Sequence, residues 1–160
     1  MKYGAMEKQF MKRALEMARI GMNSNQGGPF GCVIVKDGKI LAEAHNRVTS
    51  INDPTAHAEV VAIREACQKL NSFQLEGCEI YASCEPCPMC LGAIYWARPD
   101  AIYFAGRKED AANAGFDDSF IYHEIDLSPE KRSIPMHPVE CTDAQDLFRE
   151  WVEKEDKIDY

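Results

Sequence analysis

The sequence predicts an α/β domain built on a mixed sheet with helices on both faces. Between residues 30 and 105, runs rich in Val, Ile and Ala alternate with amphipathic stretches of helical period. This alternation is typical of α/β folds. An Asp37-Gly38 dipeptide between two apolar runs indicates a tight hairpin. Because the hairpin requires an antiparallel pair while helical crossovers join parallel strands, we expect both strand orientations in the sheet.

The length and composition favour a single compact domain over residues 1–160. With 160 residues and 46% apolar content, the chain can bury one hydrophobic core. It has no apolar run of the roughly eighteen residues that a membrane span needs. The first eight residues lack the apolar region of a secretory signal, and seven cysteines, an odd number, argue against a disulfide framework. We therefore expect a cytoplasmic protein that does not associate with membranes.

The net charge of the chain constrains its partners. A formal charge of −8 repels phosphate backbones, whereas proteins that bind nucleic acid broadly carry a basic field. Nothing in the sequence indicates a local basic patch that would reverse this tendency. We therefore expect a small neutral or cationic substrate rather than nucleic acid.

The first third of the chain predicts one helix and one hairpin. Helical periodicity covers residues 7–22 and indicates a packing helix. Gly27-Gly28-Pro29 ends it in a turn, and the paired glycines permit close approach of another part of the chain. Strands are expected over residues 30–36 and 39–47. Asn46 lies near the end of the second strand, where a sheet typically presents side chains to a site.

The remaining elements follow from caps and periodicity. Asn52-Asp53-Pro54 predicts the start of a helix that runs to about Leu70, because Asp is a good cap and Pro suits the first turn. His57 and Glu59 are then expected in the first turn of this helix. The same patterns predict strands at 78–83 and 101–105 and helices near 90–98, 110–114 and 142–156. Residues 126–138 contain three prolines and are expected to form a loop.

Two short motifs about thirty residues apart carry the strongest functional signal: His57-Ala58-Glu59 and the run from Cys84 to Cys90. A zinc ion prefers four ligands drawn from thiolate and imidazole. Cys87 and Cys90, at a helix start, can place both sulfurs on one side of one ion. His57 can supply a third ligand. Two helix starts that face one point also add positive potential, which favours thiolates.

The fourth ligand position separates a structural zinc site from a catalytic one. Cys84 could fill it, which would give a closed Cys₃His site. Cys84 precedes the turn at Pro86, however, which indicates that it lies at the end of the strand and apart from the residues that bind the ion. With an open position, zinc lowers the pKa of bound water to about 7, and Glu59 can take the proton and return it to a leaving group. His-x-Glu followed by Pro-Cys-x-x-Cys is the signature of zinc deaminases of nucleobases.

These motifs resemble the cytidine deaminase-like superfamily, and in particular its small bacterial purine branch. The resemblance is carried by residues 27–31, Asn46, and residues 53–59, 83–90 and 115–120. The last segment, Gly-Phe-Asp-Asp-Ser-Phe, is similar to one typical of bacterial guanine deaminases. The resemblance extends from about residue 10 to residue 160. It implies a three-layer α/β/α sandwich with a five-stranded mixed sheet.

The resemblance also implies an activity, a cofactor and an assembly. The reaction would be guanine plus water giving xanthine plus ammonia, with one zinc ion per subunit. The zinc ligands would be His57, Cys87 and Cys90, and Glu59 would transfer protons. Contacts with the base would come from Asn46, Asp118, Phe30, Ala58, Trp96 and Tyr160. The family further implies a homodimer that exchanges a C-terminal segment of about residues 126–160, so that Tyr160 covers the site of the other subunit.

Several alternatives stay open at this point. Asn46 could be a strand-end turn residue, Phe30 and Trp96 could be core aromatics, and one of Asp117 and Asp118 could be a helix cap. The substrate could be guanosine, or adenosine in tRNA, although the net charge and residues 115–120 disfavour the tRNA branch. In a different class, the chain would be a non-enzymatic zinc module closed by Cys84.

Overall fold

The computed structural model describes residues 4–160 as two compact units, one reaching to Asp118 and the other from Ser119 to Tyr160. The first contains, in order, α1 (Ala5–Asn23), β1 (Gly31–Lys36), β2 (Lys39–His45), α2 (Val48–Ile51), α3 (Ala58–Leu70), β3 (Cys78–Cys84), α4 (Pro88–Ala97), β4 (Ala101–Gly106) and α5 (Lys108–Asn113). The second contains α6 (Ser119–Asp126), a 3-10 turn at Pro129–Lys131 and α7 (Asp143–Glu153). None of the helices between residues 4 and 160 combines the length and the apolarity that a membrane crossing requires.

The sheet has the strand order β2-β1-β3-β4 and is mixed, as the sequence predicts. β1 pairs antiparallel with both β2 and β3, whereas β3 and β4 are parallel. The hairpin between β1 and β2 closes at Asp37 and Gly38, both of which have positive φ, as a type I′ turn requires. The α4 crossover supplies the helix that a parallel β3–β4 connection needs.

Helices cover both faces of the sheet, which confirms the predicted layers. On one face Cys32 and Ile34 of β1 pack in a core with residues from α3 and α4. On the other face Val33 and Val35 pack with Phe10, Ala14 and Tyr81 in a second core under α1. Successive side chains of a strand point to opposite faces, so the continuous apolar run of β1 serves both cores.

The expected fifth strand is wrong. Across residues 4–160 the sheet has four strands, with β2 and β4 at its edges. After β4 the chain turns into α5 and α6 rather than returning to the sheet. The connection between α6 and α7 contains Pro135 and Pro138, which lack the N–H groups that a strand ladder requires.

The predicted start of the third helix is also wrong. α3 begins at Ala58 with His57 as its N-cap residue, and Asp53 lies outside it. The Asp53 carboxylate accepts hydrogen bonds from the Thr55 N–H at 2.8 Å and the Thr55 hydroxyl at 2.7 Å. Asp53 therefore stabilises a turn instead of capping a helix, since an aspartate side chain can do either. The short helices α2 and α6 were not expected from the sequence.

Candidate metal centre and active site

The site is built by the N-termini of two helices. His57 is the N-cap residue of α3 and Cys87 is the N-cap residue of α4, and both have extended backbone angles. Pro88 occupies the first turn of α4, where its missing N–H costs nothing. The free N–H groups of both first turns give this region a positive potential. The two motifs predicted from the sequence thus meet as two helix starts.

Three candidate metal ligands converge between these helix starts. His57 Nδ1 lies 3.5 Å from Cys87 Sγ and 3.5 Å from Cys90 Sγ. All three ligand atoms lie within 4.8 Å of one another. Within residues 4–160 this is the single group of three or more histidine, cysteine or acidic side chains that could hold a metal ion. Two sulfurs and one imidazole nitrogen form a donor set that suits zinc. The predicted set of ligands therefore comes together in the fold.

Cys84 does not join this group. Its thiol lies 3.5 Å from the backbone carbonyl of Arg107, to which it can donate a hydrogen bond. Burial raises the pKa of the Cys84 thiol to about 11, which keeps it protonated near neutral pH. Across residues 4–160 the group of candidate metal ligands therefore consists of His57, Cys87 and Cys90 and leaves Cys84 out.

The three candidate ligands are electrostatically coupled. The pKa of Cys87 is lowered to about 4, first by a hydrogen bond from the Cys90 thiol and then, against burial, by His57. The same contact with Cys87, together with burial, raises the pKa of Cys90. A hydrogen bond with Cys87 also raises the pKa of His57. One thiolate is thus already present at neutral pH, and thiolate is the form that binds metal.

Glu59 lies beside the ligands without being one of them. It occupies the first turn of α3 and its side chain is buried. The Cys90 thiol can donate a hydrogen bond to Glu59 Oε2 over 3.4 Å. Burial raises the pKa of the Glu59 carboxyl, which brings its proton exchange closer to neutral pH. A carboxyl with these properties suits general acid–base catalysis.

Asn46 occupies a tightly defined place next to β1. Its side chain is buried, and the side-chain Oδ1 accepts a hydrogen bond from the Val48 backbone N–H at 3.1 Å. The backbone N–H of Asn46 donates to the Phe30 carbonyl at 3.0 Å. A Cβ at Gly27 would lie 2.2 Å from Asn46 Oδ1. Only glycine leaves room for this side chain, so Gly27 supports the site. In the sequence, the paired glycines indicate that another part of the chain comes close to this turn. They do not reveal that the neighbouring side chain is Asn46.

The other residues predicted to contact the base differ in how far they are buried. Burial, followed by the negative charge of Cys87, raises the pKa of Asp118, which places this carboxyl within the field of the ligand group. Ala58 is fully buried in the core. Trp96 is 63% exposed on α4, and Tyr160 is 70% exposed at the end of the second unit. Phe30 contacts Phe116, to which the sequence assigned no individual role.

This site and fold define a zinc-dependent deaminase, and comparison with known proteins gives the same class. Residues 5–106 match the zinc-binding region of cytidine and deoxycytidylate deaminases, so the chain belongs to this family. Guanine deaminase of Bacillus subtilis is 58% identical over 151 residues, which cover 94% of this chain and 97% of the relative. A solved structure of guanine deaminase from the same organism aligns with a TM-score of 0.94 at 57% identity, over 96% of this chain and 98% of that chain. A tRNA-specific adenosine deaminase of Aquifex aeolicus is 46% identical over 96 residues, or 60% of this chain and 63% of the relative.

Replacing single cysteines by serine distinguishes an open zinc site from a closed one. We expect Cys84→Ser to keep about one zinc per chain, because Cys84 lies outside the ligand group, and Cys87→Ser to lose most of it. Zinc is measured by elemental analysis of the purified variants. Cys141→Ser, which changes an exposed thiol, is the control. Loss of zinc in Cys84→Ser as complete as in Cys87→Ser would show that the site is closed.

Proposed function

We propose that this protein is a hydrolase that converts guanine and water to xanthine and ammonia, a step of guanine catabolism in purine metabolism. The observation that carries the proposal is the similarity to guanine deaminase of Bacillus subtilis along 94% of the chain. The tRNA-specific relative matches 60% of the chain, and the net charge of −8 opposes binding of tRNA. Guanine is therefore favoured over adenosine in tRNA, and guanosine is the alternative among purine substrates.

The catalytic roles follow from the ligand group and its neighbour. His57, Cys87 and Cys90 would hold one zinc ion, which would act as a Lewis acid on the attacking water and lower its pKa. Glu59 takes a proton from the attacking water and delivers it to the amino group, which leaves as ammonia. The buried setting of Glu59 suits both steps, because a raised pKa makes the carboxyl a better proton acceptor and its acid form more populated.

We further propose that polar and aromatic side chains contact the base. Asn46 Oδ1 is bonded to the Val48 N–H, so the amide NH₂ is the part of the side chain that can donate to an acceptor on the base. Asp118 accepts from N–H groups of the base. Phe30 covers one flat face of the ring, and Ala58 contributes its backbone N–H from the first turn of α3. This set matches guanine, whose edge carries N–H donors and acceptors.

A substrate panel tests the proposed reaction. We expect purified, zinc-loaded protein to release ammonia from guanine at a kcat/KM at least about tenfold above those for guanosine, adenine and cytosine, because one unsatisfied polar contact costs about that much. Ammonia release is followed by a coupled assay. Absence of ammonia with guanine would refute the proposal, and faster release from another compound would reassign the substrate.

Glu59→Gln tests the proton-transfer role. The amide keeps the shape of the side chain but cannot accept a proton, so we expect a folded, zinc-loaded protein with kcat reduced about 10²–10⁴-fold. Steady-state kinetics and zinc analysis measure the two properties separately. Glu65→Gln, which breaks an ion pair with Lys69 on the same helix, is the matched control and should keep its activity. Full activity in Glu59→Gln would place the proton transfer on another group.

We also propose a homodimer in which residues of about 126–160 are exchanged, within one deaminase domain per chain. The second unit supports this, because α7 exposes Leu147, Phe148 and Val152 at 62%, 71% and 69%. Apolar side chains in such number on one helix are typical of an interface. In this assembly Trp96 and Tyr160 would contact the base, with Tyr160 supplied by the partner.

The cytoplasm is the proposed location, since all seven cysteines are free.

Complementation between two variants of low activity tests the exchange. We expect Tyr160→Ala to lower turnover about tenfold or more without unfolding the protein, because an exposed terminal residue contributes little to stability. Co-expression of Tyr160→Ala with Glu59→Gln should restore about a quarter of the wild-type activity, since half of the dimers are mixed and each has one intact site. Analytical ultracentrifugation confirms the dimers. No gain of activity in mixed dimers would refute the exchange.

A further inference from the structure

The ring of Phe116 packs on the ring of Phe30 in an edge-to-face arrangement. Their centroids are 5.0 Å apart and their planes are 89° apart. The contact joins the loop after α5 to the residue that precedes β1, although the two residues are distant in the sequence. Gly28 borders both rings, because a Cβ at this position would lie 3.1 Å from Phe30 and 3.2 Å from Phe116. The two rings and the Gly28 backbone therefore form one tight contact.

We propose that Phe116 is a positioning residue that sets the orientation of the Phe30 ring against the bound purine. The inference rests on the proposed function, in which Phe30 covers a face of the base. The Phe30 carbonyl accepts the Asn46 N–H at 3.0 Å, so the backbone of Phe30 is fixed. The ring packs on one side against the core that contains Cys32 and Ile34, and the contact that holds it on the side of the later loop is Phe116.

The surroundings of Phe116 favour this role over a role in core packing. Phe116 is 45% exposed, whereas Tyr81 in the core under α1 is 1% exposed. Phe116 belongs to neither of the two buried cores of the sheet, and an edge-to-face pair restricts the tilt of its partner ring. Phe116 also precedes Asp118 by two residues, so the same contact fixes the loop that carries this carboxyl. The consequence of the contact is therefore expected in substrate binding.

A double-mutant cycle on Phe30 and Phe116 tests the inference. We expect Phe116→Ala to raise the KM for guanine about three- to tenfold and to change kcat less than about twofold, because a wall of the pocket binds ground state and transition state alike. In a Phe30→Ala background, Phe116→Ala should cause little further change. Phe116→Tyr, which keeps the ring, should restore a KM close to that of wild type.

The controls separate positioning from a general loss of structure. Phe73→Ala removes an aromatic ring of similar exposure, 53%, from a different loop and should leave KM unchanged. If Phe116→Ala does not fold, Phe116→Leu carries the same cycle, because leucine keeps the bulk and lacks the ring. An unchanged KM, or effects of the two substitutions that simply multiply, would overturn the positioning role. A wild-type protein that releases no ammonia from guanine would instead overturn the proposed function.

Discussion

The structure depends on the meeting of two helix N-termini at one point. The starts of α3 and α4 bring two positive helix ends together, an arrangement that is unfavourable unless negative charge lies between them. Cys87, whose pKa is lowered, supplies that charge from the start of α4 itself. His57 and Cys90 complete a group that can hold a cation. Within this group, the hydrogen bond from the Cys90 thiol and then the contact with His57 lower the pKa of Cys87.

The constraint also separates the metal ligands from the proton carrier. His57 and Glu59 are two residues apart at the start of α3, so one reaches the ligand group while the other is buried behind it. The hydrogen bond between the Cys90 thiol and Glu59 Oε2 brings the carboxyl into contact with that group. A carboxyl beside the ligands, buried and with a raised pKa, can move a proton without changing the donor set.

The sequence predicted the zinc half of the site because its signals are local. His57 and Glu59 share one motif, Cys87 and Cys90 share another, and each motif opens a helix. The start of α3 was mispredicted because Asp53 has a local alternative in its bonds to Thr55. The fifth strand was taken from a family resemblance and not from the residues after β4, and across residues 4–160 the sheet has four strands. The contact between Phe30 and Phe116 has no signal in spacing or periodicity, since it arises from tertiary packing.

The zinc ligands and two of the residues near the proposed base pocket lie in different parts of the chain. This separation gives a physical reason why members of one family can act on different substrates. The match to the deaminase family covers residues 5–106 and includes all three ligands and Glu59. Phe116 and Asp118 lie beyond it, in a loop that contacts Phe30 and experiences the charge of Cys87. The zinc chemistry can therefore stay constant while the later loop changes the shape and polarity of the proposed base pocket. In the proposed pocket, substrate choice would then depend in part on Phe116 and Asp118, which lie outside the region matched by the family model.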